Sequence, residues 1–148
     1  MKIVIAEGGH SSNVGSMALI ENAIRIARTA NPDVSISVFC SDALGVERFL
    51  KQDGEDINVS VFPELFCIPT GGNLIKFFWL VQCVLWITYS RLLLLFTKKI
   101  SWAFCGRRKR NLKEVESADL IYCIGAERIN DIYYKTAMLS LYAIGTYI

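Results

Sequence analysis

The feature that most constrains the fold is the regular alternation of short, β-branched apolar runs with segments of helical periodicity. The apolar runs predicted as strands are Ile3–Ala6, Val34–Cys40, Asn58–Phe62 and Asp119–Ile124. Strands that alternate with helices pair in parallel, because each helix returns the chain to the edge of the sheet where the previous strand began. The sequence therefore predicts an α/β fold of the Rossmann-like three-layer kind, with a parallel sheet between layers of helices.

Capping and helix-breaking residues mark the helices between these runs. Asn13 is a good N-cap for the first helix, and Asn31-Pro32-Asp33 ends that helix. The other predicted helices are Ala43–Gln52 after the cap Ser41-Asp42, Leu74–Phe96, a short helix bounded by Asn111 or Ser117, and Ile132–Ala143 with Gly145 as its C′ residue. Thr146–Ile148 has the pattern of a fifth strand beginning, so we expect the chain to be the front part of a longer architecture or a truncated copy of one.

Size and composition fit one domain over residues 1–148, with no cofactor indicated. Of the 148 residues 53% are apolar, and the net charge of +2 gives no general argument for nucleic acid. The five cysteines form no Cys-x-x-Cys pair, which favours reduced thiols in a cytosolic compartment. Because His10 is the only histidine, we expect no metal site of the common zinc types.

A glycine-containing loop joins the first predicted strand to the first predicted helix, where open α/β sheets bind ligands. Its glycines are Gly8, Gly9 and Gly15. This spacing is not the Gly-x-Gly-x-x-Gly of a dinucleotide site, and no lysine follows Gly15 as it does in a Walker A loop. Two interpretations stay open: the glycines only permit a turn that Asn13 caps, or the loop, including His10, contacts a ligand.

The segment Ser12-Asn13-Val14-Gly15-Ser16-Met17-Ala18-Leu19-Ile20 resembles the N-terminal motif of the polysaccharide pyruvyl transferase family. That motif reads Asn-x-Gly-Asp-x-Ala, followed by two apolar residues, at the start of a helix. The resemblance continues at Asn31-Pro32-Asp33 and Ser41-Asp42. It returns at Ser117-Ala118-Asp119-Leu120-Ile121, where family members have Ala-Asp-Leu-Val-Ile before a glycine run and a downstream aspartate. It spans most of the chain.

The resemblance implies that the chain is the N-terminal half of a two-domain, GT-B-like fold. The residues that match the family's two loop motifs are Asn13, Gly15, Ser16, Gly125 and Asp131. Gly9, His10 and Arg128 are added as candidate substrate contacts, with a plain surface position as the alternative for His10 and Arg128. The chain departs from the family at Ser16, where an acidic residue is expected, and at Gly125–Arg128, where the glycine run is reduced.

Members of this family transfer pyruvyl from phosphoenolpyruvate to hydroxyls of a sugar in a cell-surface polysaccharide, which forms a ketal. The resemblance places most catalytic groups in a C-terminal domain, so no catalytic residue is assigned and this chain alone is expected to be inactive. The implied partners are a saccharide acceptor, for which lipid-linked sugars are one form, and a phosphoenolpyruvate donor bound by the other domain. The expected contribution of this chain is the acceptor-side domain.

Leu74–Phe96 is apolar almost all round and, at ~1.5 Å per residue, matches the ~30 Å hydrocarbon core of a bilayer. Arg91 opposes a spanning helix, at a cost of up to ~3 kcal/mol. The basic residues that follow suit anionic lipid; they are Lys98, Lys99, Arg107, Arg108, Lys109, Arg110 and Lys113. In order of preference, the sequence predicts a peripheral helix at the cytoplasmic membrane interface through Leu74–Arg110, a soluble helix buried against another domain or partner, and a transmembrane helix over 74–96.

Two other functions stay open. The first is a GT-B glycosyltransferase that uses a nucleotide sugar; a ribose-binding glutamate in the second domain would favour it, whereas an anion site of arginine and histidine would favour pyruvyl transfer. The second is a catalytically inactive, membrane-associated interaction protein, which the reduced loop Gly125–Arg128 favours.

Overall fold

The computed structural model describes residues 1–52, 59–65, 69 and 71–124. In this part the chain forms, in order, β1 (Lys2–Ala6), α1 (Val14–Ala30), β2 (Ser35–Cys40), α2 (Ala43–Gln52), β3 (Val59–Pro63), α3 (Asn73–Leu94), α4 (Gly106–Glu116) and β4 (Leu120–Cys123). The four predicted strands and the first three predicted helices are confirmed, with ends within a few residues of those expected. The predicted helix Ile132–Ala143 and strand start Thr146–Ile148 lie outside the described residues.

The four strands form one parallel sheet in the order β3-β2-β1-β4. In the register of the sheet, Ile3 on β1 lies between Ile36 on β2 and Leu120 on β4, and Ile36 in turn pairs with Val59 on β3. This order is that of the first four strands of a Rossmann-type sheet. The described residues therefore form a Rossmann-like α/β sheet, as the alternation of runs predicts.

Helices cover both faces of the sheet, because successive strand residues point to opposite faces. On one face, Ile5 and Val38 are buried against Ile20 of α1 and Val46 of α2. On the other face, Val4 and Phe39 pack with Val115 of α4. β1 and β2 are consequently buried on both sides, which is why they read as continuous apolar runs.

Two boundaries were possible for α4 from the sequence, Asn111 and Ser117. The helix begins well before Asn111, and Ser117 is its C-cap. Asn111 is buried within the helix, and its Nδ2 donates a hydrogen bond of 2.7 Å to the carbonyl oxygen of Pro63 at the end of β3. This tertiary bond satisfies the amide nitrogen of a side chain that would otherwise favour a cap. The basic run before it is therefore the first turn of a helix.

Hydrogen bonds fix α4 to the sheet and to the preceding turn. Glu114 accepts from Ser37 Oγ on β2 at 2.8 Å and forms a 2.7 Å ion pair with Lys2 Nζ. Burial alone would raise the pKa of Glu114, but the hydrogen bonds from Lys2 and Ser37 lower it overall. Glu116 accepts from the backbone N–H groups of Ile100 and Ser101 at 2.7 and 2.8 Å. These contacts fix the C-terminal end of α4 relative to β1, β2 and the turn before the helix.

Among the described residues, one side of α3 packs on α4. Cys83, Trp86 and Ile87 cluster with Leu112 of α4, and the Trp86 ring meets Phe104 edge-on with centroids 5.9 Å apart. Most of the other apolar side chains of α3 are exposed. Within the described ranges, α3 alone is long and apolar enough to cross a membrane, and 22% of its most apolar window is buried.

Candidate functional site

The candidate site lies outside the carboxyl end of β1, the strand beside which the direction of the sheet reverses. The chain moves outward from β1 to β3 with α1 and α2 on one face, and it returns to β4 through α4 on the other face. At the reversal the N–H of Ile124 donates to the carbonyl oxygen of Ala6 at 3.1 Å. Open α/β sheets bind ligands at such a reversal, so the sheet order supports a site beside the loop after β1.

The loop after β1 is tied to the end of β2. The N–H of Gly8 donates to Phe39 O at 2.9 Å, and the N–H of Ser41 donates to Gly9 O at 3.0 Å. A Cβ at Gly8 would lie 3.0 Å from Cys40 Cβ, and Gly9 has a φ of 71° in the left-handed region. The two glycines thus serve a close approach of the loop to β2 and a backbone conformation that other residues rarely adopt.

The N-terminus of α1 is capped by the side chain of Asn13. Asn13 Oδ1 accepts from the N–H groups of Gly15 and Ser16 at 2.9 and 3.3 Å, which confirms Asn13 as the N-cap. Ser16 is 2% exposed and lies against the core. Two of the donors that a helix start offers to an anion are therefore already used, and Ser16 is out of reach of a ligand on the surface.

A polar group of loop side chains meets at this edge. Ser12 Oγ lies 2.9 Å from His10 Nδ1, and Asp42 Oδ2, from the loop after β2, lies 3.9 Å from the same nitrogen. A Ser-His-Asp triad needs the serine and the aspartate on different ring nitrogens. The arrangement therefore orients the exposed His10 ring without activating Ser12 as a nucleophile, and it presents hydrogen-bonding groups suited to hydroxyls.

Asp42 is held ionised by its neighbours. It accepts hydrogen bonds from Ser11 Oγ and, at 3.1 Å, from the N–H of Gly45, and these bonds lower its pKa below the ordinary value. A methyl group at Gly45 would overlap the Asp42 carboxylate. The carboxylate therefore links the loops after β1 and β2. The strand-end pair Ser41-Asp42 is predicted as a helix cap and as part of the family resemblance, but not as part of the site. Its position after a strand adjacent to β1 is the signal that places Asp42 there.

The structure brings together part of the predicted set. Gly9, His10 and Asn13 lie in the loop after β1, and Gly15 and the buried Ser16 lie in the first turn of α1. Gly125, Arg128 and Asp131 lie outside the described residues. Ser11, Ser12 and Asp42 were not predicted as site residues. In the described part of the chain, no three histidine, cysteine, aspartate or glutamate side chains form a cluster able to hold a metal ion.

Comparison with known proteins identifies no relative of this chain. Neither a scan against protein-family models nor searches of curated proteins and of solved structures find a match to the chain. The fold is consequently assigned from strand order and register alone.

Proposed function

We propose that the chain is the acceptor-side domain of a polysaccharide pyruvyl transferase-like protein that works at a membrane surface. The observation that supports this most directly is the position of the Ser12–Ile20 motif. It starts in the turn between β1 and α1, at the carboxyl end of the strand beside which the direction of the parallel sheet reverses. That is where the resemblance requires an interdomain cleft, and the exposed His10 and Ser12 supply hydrogen bonds suited to sugar hydroxyls.

The proposed reaction forms a cyclic ketal on a sugar. Two sugar hydroxyl oxygens bond to C2 of phosphoenolpyruvate, the bond from C2 to the phosphate oxygen breaks, and inorganic phosphate leaves. One hydroxyl proton goes to C3, which becomes a methyl group, and the other leaves with the phosphate. In this scheme the second domain holds phosphoenolpyruvate, while His10, Ser12 and Asn13 hold the acceptor.

The proposed partner surface for the membrane runs from Leu74 to Arg110. The side of α3 that faces away from α4 carries Phe78, Leu85 and Leu92, each more than half exposed and seven residues apart. Lys98, Lys99 and the basic first turn of α4 follow it. An in-plane helix is favoured over a spanning one, because the other side of α3 packs against the strongly charged α4, which cannot enter hydrocarbon.

Deletion of the gene, followed by chemical analysis of the cell-surface polysaccharide, tests the proposed reaction. We expect the deletion strain to lose pyruvate that is released by mild acid, and the gene restored in trans to return it. The restored variant His10→Ala should return less than the wild type, and Asn22→Ala, an exposed change on α1, should return as much.

The same analysis separates the alternatives. A polysaccharide that keeps its pyruvate but loses a sugar would point to a nucleotide-sugar glycosyltransferase. A polysaccharide of unchanged composition in the deletion strain would contradict both enzymatic functions.

A non-catalytic, membrane-associated interaction protein is the second candidate. It is supported by the chemistry of the first loop, where Asn13 occupies the Gly15 and Ser16 amides and His10 Nδ1 is shared between Ser12 and Asp42. None of these groups is arranged as an activated nucleophile. For this candidate we expect deletion to leave the polysaccharide unchanged while the protein still fractionates with membranes.

A further inference from the structure

An open cavity of about 160 Å³ lies between α3, the first turn of α4 and the end of β3. Trp79, Gln82 and Trp86 of α3 form one wall, and Arg107 and Arg108 of α4 form the opposite one. The cavity is separate from the loop after β1 but opens at the same edge of the sheet. Since β3 is two strands from β1, the two places are about 10 Å apart along the sheet.

The charge of the cavity favours an anion. Arg108 is held with its guanidinium carbon 5.4 Å from the centre of the Trp86 ring, so its position is set by the wall it faces. Glu64 is the one acidic side chain that lines the cavity among the described residues, against the two arginines. Burial raises the pKa of the Cys83 thiol to about 11, so this side chain adds no negative charge at neutral pH.

The start of α4 supplies further donors. Its N-cap, Cys105, makes no side-chain bond to the first turn, and Gly106 adopts a φ of 57° that turns the chain into the helix. The first N–H groups of a helix have no partner within the helix and carry a partial positive charge. Two arginines placed on such a start form the usual surroundings of a bound phosphate.

A buried amide provides an independent sign of a ligand. Asn111 lines the cavity and is 2% exposed. Its Nδ2 bonds to Pro63, but its Oδ1 accepts no hydrogen bond from the described part of the chain. A buried acceptor without a donor is destabilising by about 1–3 kcal/mol. A ligand with a hydroxyl group beside its phosphate would satisfy this oxygen.

The cavity lies at the height of lipid head groups when α3 rests in a membrane interface. A helix is about 10–12 Å across, and the head-group layer extends about 5–8 Å beyond the hydrocarbon. With the side that carries Phe78, Leu85 and Leu92 sunk to the level of the acyl chains, the opposite side of α3, with Trp79 and Trp86, lies among the head groups. A lipid phosphate can then reach the arginines while its chains run beside α3.

We propose that this cavity binds the phosphodiester head group of an anionic, hydroxyl-bearing membrane lipid. The lipid phosphate contacts Arg107, Arg108 and the open N-terminus of α4, a head-group hydroxyl donates to Asn111 Oδ1, and the hydrocarbon lies on α3. The site rests on the proposed membrane location, and it gives that location a specific lipid chemistry.

Vesicle co-sedimentation with the full chain tests the site. The vesicles are phosphatidylcholine with and without phosphatidylglycerol, and the variant is R107Q/R108Q. Its matched control is K98Q/K99Q, which removes the same charge from the same basic segment but away from the cavity. Loss of diffuse electrostatic attraction lowers the vesicle affinity of both variants alike, by about 5-fold per charge removed. The site predicts a further loss of about 10-fold for R107Q/R108Q alone, and only on vesicles with phosphatidylglycerol.

Other outcomes overturn the proposal. Equal losses in the two double variants would mean that the basic segment acts only as diffuse charge. Tight binding of inorganic phosphate or soluble glycerol phosphate, with no preference for phosphatidylglycerol vesicles, would make the ligand a free phosphate.

Arg107→Gln alone, which leaves Arg108 on Trp86, repeats the test without risk to the α3–α4 packing. Because the readout is vesicle binding, a negative result here with pyruvate lost on deletion would remove the lipid site and keep the transferase.

Discussion

The starts of α1 and α4 are opposite in chemistry although both are helix N-termini at the carboxyl edge of one sheet. The start of α1 carries the family-like motif, but Asn13 already binds the N–H groups of Gly15 and Ser16. The start of α4 carries no recognised motif, has no side-chain cap, and faces a cavity lined by two arginines. A motif at a helix start therefore does not by itself make an anion site. What matters is whether the first N–H groups of the helix are already hydrogen-bonded.

Gly8→Val is expected to have the largest effect on stability, because the loop before α1 packs closely against β2 at Gly8. The new side chain would press on Cys40 and on the Phe39 carbonyl, and we expect a loss of about 2–3 kcal/mol in the free energy of unfolding by urea. Gly72→Ala before α3 is the control, since no atom of the described residues lies within 4 Å of its added methyl group. A Gly8→Val protein as stable as wild type would show that the loop is loose.

Asn13→Ala removes the closure of α1 directly. We expect a loss of about 1 kcal/mol in the free energy of unfolding, because two N–H groups lose their acceptor. Asn22→Ala, in the exposed middle of the same helix, should change stability by less than about 0.5 kcal/mol. If both variants lose the same amount, the cap does not close the helix.

Cys105→Ser makes α4 resemble α1. Cys105 has the extended backbone conformation of an N-cap, so a serine hydroxyl there can accept from the first turn. We expect a gain of about 0.5–1 kcal/mol in stability, with weaker binding to phosphatidylglycerol vesicles because the cap competes with the lipid phosphate. Cys105→Ala is the control without a cap. A stability gain shared by serine and alanine would argue against an open helix start.

Ser11→Ala is expected to have the smallest effect on the free energy of unfolding, and that effect should depend on pH. The hydrogen bond from Ser11 is the main reason that the pKa of Asp42 is lowered, so the variant should titrate closer to the ordinary value of 3.8. A lowered pKa contributes stability above the unfolded pKa and loses it as the pH falls through the folded one. The variant's small deficit should therefore be present at pH 7 and vanish in acid, as carboxyl NMR titration and acid unfolding would show. A deficit that stays constant down to acid pH would contradict this role.

The sheet and the first site loop could be predicted from the sequence because their signals are local. Apolar runs such as Ile3–Ala6 are buried on both faces, and Asn13 caps the residues next to it. The peripheral position of α3 stays a proposal, although its exposed apolar side agrees with it.

The start of α4 and its cavity could not be predicted in the same way. In the sequence, Arg107 and Arg108 belong to a basic segment that suits anionic lipid as diffuse charge, and Asn111 looks like a cap. Their roles depend on partners far along the chain: Trp86 on α3 lies beneath Arg108, and Pro63 at the end of β3 accepts from Asn111. Such long-range pairs have no periodic signal. Asp42 was likewise missed as a site residue because its contact with Ser11 needs β1 and β2 to be neighbours.

The most direct test of the contrast between the two helix starts is a backbone amide NMR titration of the full chain with soluble dihexanoyl-phosphatidylglycerol. The account predicts saturable shifts at Gly106, Arg107 and Arg108 and unchanged signals at Gly15 and Ser16. Shifts at Gly15 and Ser16 with none at the start of α4, or no response at either helix, would contradict it.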